Sequence, residues 1–146
     1  MTGAIFVDTN VLVYARDASE PRKQPRAAEW MEHLWQTRLG RISVQVLQEY
    51  YATVTGKLRP GLDRQTARAR VRRLLAWRPV PIDAAVLEGA WSLQDRYSLS
   101  WSDALIVSAA RVSRCRFLLS EDLQDGQAFD DLEVLNPFAH RPGAHT

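Results

Sequence analysis

Short β-branched and aromatic runs alternate with longer helical stretches along this chain, and that alternation constrains the fold more than any other feature. Ile5-Phe6-Val7 has the pattern of a buried strand, and Val11, Leu12 and Ala15 follow it at helical spacing. A turn at Ser19-Glu20-Pro21 leads to a helix over 22–37. There Trp30 and Leu34, with His33 or Trp35, face inward, and Gly40 marks the end. The run 42–44 reads as a short strand entering a helix that carries Glu49 and ends near Gly56. Pro60-Gly61 turns the chain, Asp63 caps an arginine-rich helix to about Trp77, and Pro79 and Pro81 hold 78–82 extended. Asp83 caps a helix carrying Val86, Leu87, Ala90, Trp91 and Gln94, and Ser100 caps the next. The runs 116–119 and Leu132–Leu135 are the last strands. Such alternation implies an α/β protein with a parallel central sheet and helices on both faces. No repeat, low-complexity tract or linker divides the chain. One domain is expected over 1–146, with a core at about 4–136 and a tail at 137–146.

Composition narrows the class. With 46% hydrophobic and 25% charged residues the chain is ordinary globular protein, which excludes disorder. No apolar run approaches the roughly 18 residues a bilayer span needs, and no basic region precedes the first apolar run, so neither membrane nor signal peptide is expected. Cys115 is the single cysteine, which rules out an internal disulfide and is compatible with a reducing compartment. It reads as a small core residue beside a strand. A soluble cytoplasmic protein is the expectation.

Four acids stand where apolar segments end or are interrupted. Asp8 closes Ala4-Ile5-Phe6-Val7, and Glu49 interrupts Val46-Leu47-Gln48-Glu49-Tyr50-Tyr51. Asp103 lies in Trp101-Ser102-Asp103-Ala104-Leu105-Ile106, and Asp122 follows Leu118-Leu119-Ser120-Glu121. An unpaired carboxylate in apolar surroundings costs several kcal/mol or shifts its pKa until it is neutral. If the fold gathers the four, their repulsion calls for a hard cation such as Mg²⁺, which takes oxygen ligands. Each also has an ordinary alternative. Asp8 suits an N-cap, Glu49 a solvated helix face, Asp103 the third position of a capping box after Ser100, and Asp122 an acidic turn. Asp8 and Asp122 both fall beyond the carboxyl ends of strands, where parallel α/β sheets bind ligands.

In this order and at these distances the four motifs resemble a PIN domain, most closely the toxin ribonucleases of the VapC type. The resemblance implies a single PIN-like domain and a Mg²⁺- or Mn²⁺-dependent endoribonuclease that hydrolyses RNA phosphodiesters. It implies Asp8, Glu49, Asp103 and Asp122 as the catalytic acids. Asp8 and Asp103 would be the principal metal ligands, with Glu49 and Asp122 completing the sphere directly or through water. Asp125 is an alternative at the last position. Thr9, Asn10 and Ser120 supply hydroxyl and amide groups to orient the acids. His33, His140 and His145 are not needed. The same resemblance implies a cognate VapB-type antitoxin and a homodimer. Two rivals remain: a catalytically silent RNA- or protein-binding PIN module, and a haloacid-dehalogenase-type phosphohydrolase. The latter needs a carboxyl where Asn10 stands, and a late lysine where only Lys23 and Lys57 exist.

The net charge of +2 hides an asymmetry. Between Lys57 and Arg78 eight basic residues face one acid, Asp63, so that segment carries +7 and the rest −5. Arg64, Arg68 and Arg72 recur at i, i+4 and i+8 beside Ala67, Val71, Leu74 and Leu75. The stripe fits either an RNA-binding face or a solvated or protein-contacting one.

Overall fold

The computed structural model describes residues 3–143, so His145 lies outside the described residues. The chain runs β1 (Ile5–Val7), α1 (Thr9–Tyr14), α2 (Gln24–Thr37), β2 (Gly40–Arg41), α3 (Val44–Gly56) and α4 (Arg64–Leu74). A 3-10 turn at Leu75–Trp77 follows, then α5 (Ala84–Arg96), α6 (Trp101–Val112), β3 (Phe117–Leu119), β4 (Ala128–Phe129) and β5 (Leu132–Leu135). The strands form one sheet in the order β2-β1-β3-β5-β4. β2, β1, β3 and β5 are parallel, and β4 pairs antiparallel with β5 at the edge. All three residues of β1 and of β3 are buried, as strands covered on both faces must be. The architecture is the mostly parallel α/β sheet that the alternation implied. β4 was not expected: two residues joined to β5 by a turn leave too short a pattern to read.

Local chemistry explains most boundaries. Asp63, Asp83 and Ser100 each accept the backbone N–H three residues on, which caps α4, α5 and α6. The expected strand at 42–44 is corrected. Ser43 is extended and its hydroxyl accepts the Val46 N–H, so Val44 already opens α3, and the strand is Gly40–Arg41. Gly40 is not the helix end either. Arg38 closes α2 in the left-handed region at φ 61, while Gly40 sits in β2 because any Cβ there would strike the Trp77 ring. Trp30 and Leu34 are fully buried as expected, and His33 and Trp35 are half-buried. On α5 the buried stripe is Val86, Ala90 and Leu93, leaving Trp91 exposed. Leu75 likewise faces out, and Trp77 takes the inward role.

The connections decide where the site falls. β2 lies on one side of β1, and the chain then crosses to build β3 on the other. The crevice between the carboxyl ends of β1 and β3 is therefore the topological switch point, where an open α/β sheet leaves room for ligands. Asp8 directly follows β1, and Ser120 directly follows β3. No helix among the described residues is long and apolar enough to cross a membrane.

Candidate metal centre

Asp8 is 4% exposed and anchors the crevice. One carboxylate oxygen accepts the Thr9 backbone N–H at 2.7 Å, which caps α1. The other accepts the Ser120 hydroxyl at 2.7 Å and the Asn10 amide at 3.2 Å. Capping and site-building are thus one arrangement, not alternatives. Burial pushes the Asp8 pKa up from 3.8 to about 7; the Ser120 and Thr9 hydrogen bonds oppose this, and the charges of Asp122 and Asp103 add to it.

Asp103 occupies the first turn of α6, where its N–H donates to the capping hydroxyl of Ser100. Its carboxyl nonetheless reaches the crevice. Burial raises its pKa, followed by the neighbouring charge of Asp122; Ser100 opposes, and Glu49 adds to the rise. Asp122 stands on the loop after β3, where its N–H donates to Ser120 Oγ and its carboxylate accepts the Asn10 amide at 3.0 Å. Asp8, Asp103 and Asp122 each offer an oxygen within 4.8 Å of the others. No ion pair to Lys or Arg reaches any of the three among the described residues. Three hard oxygen donors that no Lys or Arg neutralises in an ion pair fit a divalent cation such as Mg²⁺ or Mn²⁺.

Glu49 stands beside this group rather than in it. One oxygen accepts the Thr9 hydroxyl at 2.7 Å; the other accepts Ser102 Oγ at 3.0 Å and Gln45 Nε2 at 3.2 Å. Gln45 and Ser102 escaped the sequence reading. Gln45 lies one turn before Glu49 on α3, which is the only signal the sequence carries for it. Asp125 is accounted for elsewhere, accepting the Asn136 N–H at 2.8 Å and pairing with His140 at 2.9 Å. Asp122, not Asp125, is the acid that meets Asp8 and Asp103. The loop bearing Asp122 is pinned at Glu121, which meets Lys23 at 2.6 Å and the Tyr14 hydroxyl at 2.7 Å.

An open recess of about 580 Å³ lies over the site, with Thr9, Asn10, Glu49, Thr53, Lys57 and Asp122 in its lining. Arg64, Arg68 and Arg72 are exposed on α4 and do not line it; Arg68 Nε donates to the Tyr51 hydroxyl. Asn10 spends its amide on Asp8 and Asp122, the work of a positioning group and not of the acid that a dehalogenase-type site needs.

An α/β sheet with an acidic cluster at its switch point defines a class that known proteins match. The PIN domain model matches residues 5–132, and the chain belongs to that family. Among solved structures it is similar to VapC20 of Mycobacterium tuberculosis, a sarcin-ricin-loop-cleaving toxin. The TM-score is 0.62 at 23% identity, over 89% of this chain and 99% of that one. It is also similar to FitAB bound to a DNA fragment, with TM-score 0.67 at 20% identity over 97% of this chain and 99% of that one. A third likeness is to VapBC2 of Rickettsia felis bound to promoter DNA, with TM-score 0.60 at 16% identity over 90% and 96%. No curated protein sequence matches. At these identities the structural likenesses carry the fold.

Proposed function

We propose that the chain is a divalent-metal-dependent endoribonuclease, the toxin of a toxin–antitoxin pair. The observation that carries the reading is the convergence of Asp8, Asp103 and Asp122 within 4.8 Å at the sheet's switch point, with no ion pair to Lys or Arg among the described residues. In this reading those three hold Mg²⁺ or Mn²⁺, which would lower the pKa of an attacking water and offset charge on the phosphate oxygens. Ser120 and Asn10 keep Asp8 and Asp122 aimed, and Thr9, Ser102 and Gln45 do the same for Glu49. Glu49 accepts the proton as the water oxygen bonds to phosphorus. The bond from phosphorus to the 3′-oxygen breaks, and that oxygen takes a proton from solvent. The products carry 5′-phosphate and 3′-hydroxyl ends.

A free ribonuclease harms its host, so an inhibitory antitoxin and a cytoplasmic setting belong to the same reading. A toxin–antitoxin complex from Klebsiella pneumoniae shares the fold, which supports a cognate VapB-type partner here. A homodimer is the assembly proposed with it. The stripe Arg64, Arg68 and Arg72 is proposed to follow the RNA backbone outside the recess.

Purified protein should cut RNA with Mn²⁺ or Mg²⁺ and stop in EDTA, leaving 5′-phosphate and 3′-hydroxyl ends that an RNA ligase can rejoin. Cleavage that persists in chelator and leaves cyclic-phosphate ends would rule the chemistry out.

A further inference from the structure

A second recess, of about 740 Å³, gathers Trp35, Trp77, Arg38, Arg41, Arg78 and Ser113. It shares no lining residue with the recess over the acids. Ser113 follows α6 ten residues after Asp103, which places it roughly 15 Å along the helix direction at 1.5 Å per residue. The lining holds no carboxylate, and Arg38, Arg41 and Arg78 form no ion pair among the described residues.

Two of the lining arginines sit where helical turns end. Arg38 closes α2 at φ 61, and Arg78 closes the turn after α4 at φ 52. Both are left-handed positions that glycine fills readily and that cost an L side chain free energy. Two such positions, forty residues apart in sequence, converge on one recess, and each carries arginine.

Aromatic surface completes the site. Trp35 and Trp77 meet edge to face with centroids 5.2 Å apart, the Arg73 guanidinium lies 4.7 Å over Trp35, and both indoles are half-buried. Gly40 lets Trp77 lie flat on β2, where a Cβ would collide with the ring. The Arg41 guanidinium donates to the Arg38 and Gly40 carbonyls, which fixes it at the rim, and guanidiniums without an ion pair beside half-buried indoles are the chemistry that binds phosphates and stacks unpaired bases.

We infer that the recess of Arg38, Arg41, Arg78, Trp35 and Trp77 is an accessory binding site for single-stranded RNA, separate from the recess over the acids. It rests on the ribonuclease reading for the identity of the strand, and it assigns a use to part of the basic segment that the acidic centre does not explain. Bound there, a strand gains affinity without touching the reacting phosphate.

The test is the double variant Arg38→Gly/Arg78→Gly, which removes both charges while relieving both left-handed positions. Binding of a labelled single-stranded RNA oligonucleotide is measured in EDTA at two salt concentrations, beside thermal melts and Mn²⁺-dependent cleavage at saturating RNA. The double variant should bind on the order of tenfold more weakly, with a salt slope smaller by roughly 0.7 per lost contact. Its melting temperature should equal or exceed the wild type's, and its saturated cleavage rate should be unchanged. Wild-type affinity and slope overturn the proposal, as does weaker binding that comes with a lowered melting temperature. Asp103→Asn should show the reverse pattern, with binding kept and cleavage lost. If only that variant behaves as expected, the ribonuclease reading stands and the recess does not.

Discussion

Asp8 carries the sharpest residue-scale consequence. Its pKa is raised from 3.8 to about 7, so the protonated carboxyl favours the fold below about pH 4, and that contribution is lost as pH rises through 7. A shift of about three units corresponds to roughly 4 kcal/mol. Metal-free protein should therefore melt at a lower temperature at pH 8 than at pH 5, and Asp8→Asn should remove most of that slope and stabilise the protein at pH 8. Thermal melts in EDTA at both pH values decide it; parallel slopes for variant and wild type would mean that Asp8 ionises freely. In cleavage assays Asp8→Asn and Asp103→Asn should each lose a hundredfold or more, about 3 kcal/mol, through the missing metal ligand. Normal cleavage by Asp103→Asn would reduce that residue to its place in the first turn of α6.

At the scale of elements, α3 and α6 meet through polar groups at the site, and α5 and α6 meet through close packing. Ser102 Oγ bridges α6 to Glu49 of α3, and Gln45 donates to both Glu49 and the Ser102 carbonyl. Ser102→Ala should lower the cleavage rate about tenfold with metal affinity and melting temperature nearly unchanged, because it frees Glu49 without touching the trio. A variant whose rate is intact would take Glu49 out of the proton transfer. Between α5 and α6, a Cβ at Gly89 would press on Ser108 Oγ, which donates to the Val86 carbonyl at 2.7 Å. Gly89→Val should cost about 1–3 kcal/mol, a fall of roughly 5 °C in a calorimetric melt. The outer stripe on α4 predicts the opposite. Arg64, Arg68 and Arg72 are exposed, so replacing them with Gln should leave the melt alone and flatten the salt dependence of RNA binding by roughly 0.7 per contact.

For the whole molecule, the proposed metal would be linked to the fold. The acids sit between β1, α6 and the loop after β3, segments brought together only in the folded chain, so an ion bound there stabilises the fold as a whole. At a hundred times its dissociation constant, Mn²⁺ should add about 2.7 kcal/mol and raise the melting temperature by several degrees. Asp8→Asn should blunt that rise. The C-terminal segment takes part in the same cooperativity: Trp30 Nε1 donates to the carbonyls of Pro137 and His140, and Phe138 packs on Tyr14. The described part of the expected tail is thus docked on α2, behind the lysine that pins Glu121.

Local chemistry was legible in the sequence. The caps Asp63, Asp83 and Ser100, the strands Ile5–Val7 and Leu132–Leu135, and the acids at the ends of apolar runs depend on hydrogen bonds and periodicities spanning a few residues. Sequence order alone carried that information. What only the tertiary structure decided depends on crossovers. Asp8 and Ser120 lie 112 residues apart and bond because the chain builds β2 and β3 on opposite sides of β1. The same crossovers choose Asp122 over Asp125, bring Gln45 and Ser102 to Glu49, and lay Trp77 over Gly40 between Arg38 and Arg78. No residue in those contacts differs in type from its counterparts elsewhere in the chain. Their meaning comes from position in three dimensions, which no window of neighbouring residues contains.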